Sequence, residues 1–111
     1  MMTQMAYRVA LDTFQQGCIA RTITAIIAAR ALEQCTSDTT RTAVARIAED
    51  EAAYAALAWQ TLARALAADT AGDLRTELRA RAAELHPTLA DDEVVRSAWV
   101  KVIVPTLADL L

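Results

Sequence analysis

The stretch IAEDEAAYAALAW, residues 47–59, decides the fold. Its large apolar side chains return every three or four positions rather than every second one, which is the period of a helix and not of a strand. Followed at that period, one flank reads Val44, Ile47, Glu51, Tyr54, Ala58, Thr61 and Ala65, and Glu51 is its only charge. A second flank, Ala48, Ala52, Ala55, Trp59, Leu62 and Leu66, is wholly apolar. Together they give the helix more apolar surface than one neighbour can cover. Glu49 and Asp50 fall toward Arg46 and Gln60 on a side that reads as solvated, where Arg46 and Asp50 have the i, i+4 spacing of a helical ion pair.

Upstream, TSDTT at 36–40 is a turn that offers Ser37 or Asp38 as the N-cap of this helix, which then runs to about Ala68. Before the turn, the same period predicts a long helix over 5–35 with the stripe Leu11, Phe14, Cys18, Arg21, Ala25, Ala28, Leu32 and Cys35. Arg21 is the one charge in that stripe. An antiparallel hairpin centred near residue 37 or 38 sets Arg21 level with 53–55, within about one turn of Glu51. A lone guanidinium or carboxylate held dry in a helix seam costs several kcal/mol, so an Arg21–Glu51 ion pair is expected, with the Tyr54 hydroxyl nearby. Ile19, Ile23, Ile26 and Ile27 give the first helix a second apolar surface.

Downstream, DTAGD at 69–73 breaks the pattern, and Thr70 and Asp73 have capping-box spacing. A shorter helix is predicted over 71–85, with Leu74, Leu78, Ala82 and Leu85 on one side. HPTLADDE interrupts it. A fourth helix is predicted from near Asp91, where Asp91, Asp92 and Glu93 complement the helix dipole, with Val95, Ala98, Trp99, Val102 and Ile103 facing inward. Pro105 should kink or end that helix. Strand-like alternation is absent, so the fold class is all-α and 1–111 reads as a single domain. Two long and two short helices leave apolar flanks over, and a second copy docking its hairpin is expected to complete a four-helix core.

Composition narrows the function classes. With 55% hydrophobic residues, 5% aromatic, and a net charge of -3, the chain has no basic surplus to gather around phosphates, which argues against nucleic acid as a partner. The apolar window 18–32 is interrupted by Arg21 and Arg30 and is too short to span a bilayer. No secretory signal is visible at the N-terminus, so a cytoplasmic setting is expected. Cys18 and Cys35 sit about 25 Å apart along one helix, too far to bridge each other, and read as two buried reduced thiols. His86, the only histidine, precedes Pro87 at a predicted helix end, where capping or solvent exposure fits better than catalysis. No C-x-x-C pair, glycine-rich phosphate loop or dinucleotide fingerprint occurs, and Trp59 and Trp99 sit on apolar stripes as packing residues.

GCIARTITA (17–25), ARIAEDEAAYAALAWQTLARAL (45–66) and VKVIVPTLADLL (100–111) resemble the second half of bacterial ferritin-like domain proteins. In that half the resemblance implies G-C-x-x-E-T on one helix and D-E-A-x-H-A-x-L-A-W on the other, whose glutamates and histidine hold a dinuclear iron or manganese site. Gly17, Cys18, Thr22, Asp50, Glu51, Ala52, Ala55, Leu57, Ala58 and Trp59 match, but Arg21 stands at the glutamate position and Tyr54 at the histidine position. Of the three ligands implied for this half, only Glu51 remains as a residual metal candidate. The family's other half has no counterpart in this chain. A fixed guanidinium where metal charge would sit both satisfies Glu51 and repels a cation, although tyrosine itself can ligate ferric iron.

Two functional classes follow. The first is a metal-free, cofactor-free, non-catalytic helical module that forms a homodimer or docks a partner helical protein. The second is a metal-free enzyme or small-ligand binder with Arg21, Glu51 and Tyr54 as the candidate catalytic group in a pocket, since a buried carboxylate beside a phenol and a guanidinium can do acid/base work. A third, lesser reading keeps residual di-metal binding. The module reading explains the same residues with fewer assumptions.

Overall fold

A computed structural model describes residues 3–88 and 92–111, with the side chains of residues 86–88 outside that description. Among the described residues there are four helices, two long and two short, and no strand. Helix α1 spans residues 4–33 as Gln4–Asp12, a wide π-helical stretch Thr13–Ile19, and Ala20–Glu33. Helix α2 is Asp38–Ala68, α3 is Asp73–Thr88, and α4 spans residues 93–110 as Glu93–Ala98, a second π-helical stretch Trp99–Ile103, and Val104–Leu110. The expectations for His86 and Asp91 fall outside what is described.

Helices α1 and α2 form the antiparallel hairpin that the 36–40 turn implies. Ser37 does precede α2 in extended backbone, but its side chain makes no capping hydrogen bond. The α2–α3 turn is built differently from the Thr70–Asp73 box: Gly72 takes the left-handed conformation at φ 81, and Asp69 Oδ2 accepts from the Arg75 backbone N–H at 3.1 Å. Helix α3 therefore starts at Asp73 rather than 71, and it continues through residue 85 to Thr88. At the start of α4, Asp92 accepts from the backbone N–H groups of Val94 and Val95 at 2.9 and 3.1 Å, satisfying two of the orphan donors of the first turn.

Pro105 does not end α4. The turn before it widens, the Val104 N–H reaching back five residues to the Trp99 carbonyl. Widening relieves the crowding that the proline ring would create against the carbonyl of Lys101, so the helix passes the proline with a changed pitch instead of a break. The same five-residue bond occurs in α1, from the Ala20 N–H to the Gln15 carbonyl. Nothing in the 13–19 sequence forces that second widening as a proline does; its effect is to set Phe14, Cys18 and Ile19 together on the buried side.

The core draws on all four helices. Phe14 and Cys18 from α1, Leu62 from α2, Leu74 and Leu78 from α3, and Ile103 from α4 are fully buried, and Trp99 and Leu107 join the same cluster. Each of these large side chains contributes about 1.5–3 kcal/mol by leaving water. The flank of α2 that carries Trp59, Leu62 and Leu66 thus finds its partners within the chain, covered by α3 and α4, rather than waiting for a second copy. The flank left open is the other one: Ile47 and Tyr54 are 54% and 57% exposed, and Leu57 beside them is 58% exposed. On α4, Val102 points outward with Val100 and Val104, because the wide turn rotates the face that Trp99 and Ile103 bury.

The molecule is long, 52 × 25 × 20 Å, and its radius of gyration of 15.5 Å exceeds the ~13 Å of a compact chain of this size. Burial is confined to the end where four helices overlap. Between Ala28 and Ala55, across the hairpin tip, no residue is buried.

Candidate functional site

Where α1 and α2 cross, the residue at 17 sets the spacing. A Cβ added to Gly17 would lie 2.7 Å from the Ala58 Cβ, so only glycine lets the two backbones approach this closely. One turn further along α1, this approach brings Arg21 over α2. Its Nη1 donates to both carboxylate oxygens of Glu51, at 3.0 and 3.1 Å, and its Cζ lies 5.3 Å from the centre of the Tyr54 ring. The three residues singled out in the sequence are therefore brought together. Two details differ from expectation. The pair lies at the edge of the seam, with the Arg21 and Glu51 side chains 47% and 18% exposed, and Tyr54 offers its ring face to the guanidinium rather than its hydroxyl.

That exposure sets the energy scale. An ion pair open to water on the arginine side is worth about 0.2–1 kcal/mol, and an exposed cation–π contact about 0.5–1 kcal/mol. A double-mutant cycle with Arg21→Ala and Glu51→Ala, followed by urea unfolding at protein concentrations low enough to keep the chain monomeric, is expected to return a coupling of no more than about 1 kcal/mol, reduced further by added salt. The several-kcal/mol value of a dry pair would contradict the geometry.

On the opposite side of the crossing, the Trp59 indole N–H donates to the Thr22 hydroxyl at 2.9 Å. Thr22 is the one buried polar side chain among the described residues, and this bond satisfies it. The sequence held the signal, since a tryptophan on an apolar stripe still needs an acceptor for its N–H, but the partner becomes visible only once the helix crossing is known. The Arg46–Asp50 pair is not formed; Arg46 and Asp50 stand exposed along a surface hollow of about 550 Å³ with Arg41 and Glu49.

The two cysteines differ. Cys18 is fully buried, and burial pushes its thiol up to about 12 from 9.0. Cys35, expected to be buried, is only half-buried at the helix end, and its thiol donates to the Ala31 carbonyl at 3.3 Å. A folded state that holds its proton more tightly than the unfolded chain loses stability as pH rises, so the Cys18 contribution is intact below pH 9.0 and declines from there to about 12. Titration with a thiol-reactive chromophore at neutral pH is expected to show one prompt thiol, Cys35, and a second that appears only on unfolding. Two prompt thiols would contradict the burial of Cys18.

Four hollows among the described residues lie away from the Arg21 cluster. A cleft of about 480 Å³ between the start of α1 and α3 is lined by Tyr7, Arg8, Asp12 and Arg81, and there partial burial and then the Glu77 carboxylate raise the Tyr7 hydroxyl above its ordinary range. An apolar groove of about 440 Å³ runs between α3 and α4 over Trp99, Val104 and Leu107. A third, of about 340 Å³, separates Ile27 and Arg30 from Val94. None of these is lined by Arg21, Glu51 or Tyr54.

Among the described residues, no group of three or more His, Cys, Asp or Glu side chains comes together in a way that could hold a metal ion. Glu51 faces a guanidinium instead of other carboxylates. No described helix is long and apolar enough to cross a membrane. Compared with known protein families, curated proteins and solved structures, the chain finds no match. The chain is thus an all-α, four-helix protein whose described residues assemble no metal cluster, and its relation to ferritin-like proteins rests on the motif resemblance alone.

Proposed function

We propose that the chain is a non-catalytic helical interaction module, a ferritin-like half-bundle in plan, in which Arg21 does electrostatically what bound cations do in ferritin-like proteins. The observation that carries this reading is the single Arg21 Nη1 spanning both oxygens of Glu51. A carboxylate so occupied has its charge offset at both oxygens, and the fixed positive charge beside it opposes an incoming cation. The module reading is further supported by the exposed apolar side chains Met5, Val9, Ile47, Tyr54 and Leu57, which make the hairpin a surface for another protein.

The test is metal content. Protein produced in medium enriched in iron and manganese is expected to carry only traces of either, and of zinc. Near-stoichiometric metal would overturn the reading. In the opposite direction, Arg21→Glu combined with Tyr54→His rebuilds the carboxylate and imidazole pattern of the resemblance and is expected to bind manganese or iron more tightly than the parent. A folded double variant with no gain in affinity would remove the ferritin-like part of the proposal and leave the interaction module standing.

A further inference from the structure

Met5, Val9, Thr13, Gly17 and Arg21 recur every four residues along α1. In an ideal α-helix that spacing drifts by about 40° per step, but the wide turn between 13 and 19 lowers the rotation per residue and holds the five on one flank. On α2 the matching flank carries Ile47, Tyr54, Leu57 and Thr61, all exposed. Helices α3 and α4 cover the other side of the hairpin, through Trp59, Leu62 and Leu66. The two open flanks adjoin at the Gly17–Ala58 contact and form one broad face, apolar toward both ends and crossed in the middle by Arg21 and Glu51.

We infer that this face is closed by a second copy of the chain, related by a two-fold axis parallel to the hairpin, so that α1 of each copy lies against α2 of its partner. This inference names the occupant for the interaction module proposed above and rests on that reading. Area is the first argument. The chain exposes 7194 Å², whereas a compact monomer of 12.0 kDa exposes about 6,000 Å². The difference, about 1,200 Å², exceeds the ~800 Å² that each partner contributes to a standard stable interface. Charge is the second. A two-fold axis along the hairpin keeps every residue at its own level, so the two Arg21–Glu51 pairs meet and their charges alternate around the four helices: arginine, glutamate, arginine, glutamate. Each Arg21 then faces the partner's Glu51 as well as its own, and no like charges adjoin. An axis across the hairpin at the Gly17–Ala58 contact would instead set Arg21 against Thr13 and Thr61 and lose that complementarity. The alternating arrangement also makes every neighbouring pair of helices antiparallel, which suits their dipoles.

The alternating square has a specific signature. Arg21→Glu places four carboxylates at the centre of the assembly, and Glu51→Arg places four guanidinium groups there, so each variant is expected to self-associate at least tenfold more weakly than the parent. Mixed together, the two variants restore alternation only across the interface, because within each chain the residues at 21 and 51 remain alike. The experiment is light scattering on parent, each variant and the one-to-one mixture, with a chelator present and far-ultraviolet circular dichroism to show that both variants are folded. The expected masses are dimer, monomer, monomer and dimer. A parent that stays monomeric throughout the micromolar range overturns the second copy as occupant. Folded variants that remain dimeric alone, or that fail to pair when mixed, overturn the two-fold arrangement. Neither result touches the module reading, which stands or falls on the metal content of the parent protein.

Discussion

Phe14→Ala is expected to lower stability by about 3–5 kcal/mol, the usual range for removing a fully enclosed aromatic side chain. Phe14 is 0% exposed and belongs to the cluster that joins α1 to Leu62, Leu74, Leu78 and Ile103. The loss combines the transfer energy of the ring with the void it leaves, because side chains from four helices cannot all move in to fill it. Domains of this size have roughly 5–15 kcal/mol in total, so the variant should sit close to the unfolding threshold at ambient temperature. Urea titration followed by circular dichroism measures it. Val100→Ala is the companion measurement: at 55% exposed it should shift stability by no more than about 0.5 kcal/mol, although it neighbours buried Trp99. Comparable losses from the two substitutions would mean that the buried face of the fold is misplaced.

Gly17→Val is expected to be nearly as severe. The first carbon of any side chain at 17 falls 2.7 Å from the Ala58 Cβ, and both atoms are fixed to helical backbone, so no rotamer change relieves the clash. The helices must part, and parting them loosens Trp59–Thr22 on one side and Arg21–Glu51 on the other. Overpacking of this kind costs about 1–3 kcal/mol for small additions, and the branched valine belongs at the upper end or beyond. Gly17→Ala separates the causes. Helix propensity alone would make it stabilising by about 1 kcal/mol, so a net loss isolates the clash. Combining Gly17→Ala with Ala58→Gly moves the methyl from one helix to the other and should recover most of what Gly17→Ala loses. A Gly17→Ala protein more stable than the parent would refute the close approach. With stability changing by ~1 kcal/mol for every 4–8 °C in Tm, thermal melts resolve these differences.

Much of this architecture was legible in the sequence for a plain reason: a 3.6-residue apolar period, a polar turn and a glycine break are local signals, and local signals place α2, the hairpin turn and Leu74 and Leu78 correctly. The Arg21–Glu51 pair was legible too, because hairpin geometry is arithmetic once the turn is known. What the sequence could not rank was which of two apolar flanks of α2 the short helices would cover. Both flanks are greasy enough; the choice depends on how α3 and α4 return along the hairpin, which is a tertiary matter. From that one ambiguity follow the misjudged depth of Arg21 and the expectation that a second copy is needed to complete a four-helix core, which α3 and α4 build with Leu62 and Leu66 inside the chain. The two wide turns were invisible for a different reason. A π-helical turn has no composition of its own, and only Pro105 marked one of them, as a break it did not produce. Likewise the capping of α3 by Asp69 instead of Thr70 depends on the left-handed Gly72, which redirects the chain by more than residue spacing reveals.

The absence of burial from Ala28 round to Ala55 has a mechanical meaning. Within the packed core an amide can exchange with solvent only by opening shared contacts, whereas round the tip no side chain is enclosed, the start of α4 lying beside Ile27, Arg30 and Gln34 across an open hollow. Fraying should therefore begin at the tip and travel down the hairpin, in steps far smaller than global unfolding. Arg21 and Glu51 stand where that fraying meets the packed end. In the isolated chain they act as the clasp that limits how far the arms of the hairpin come apart.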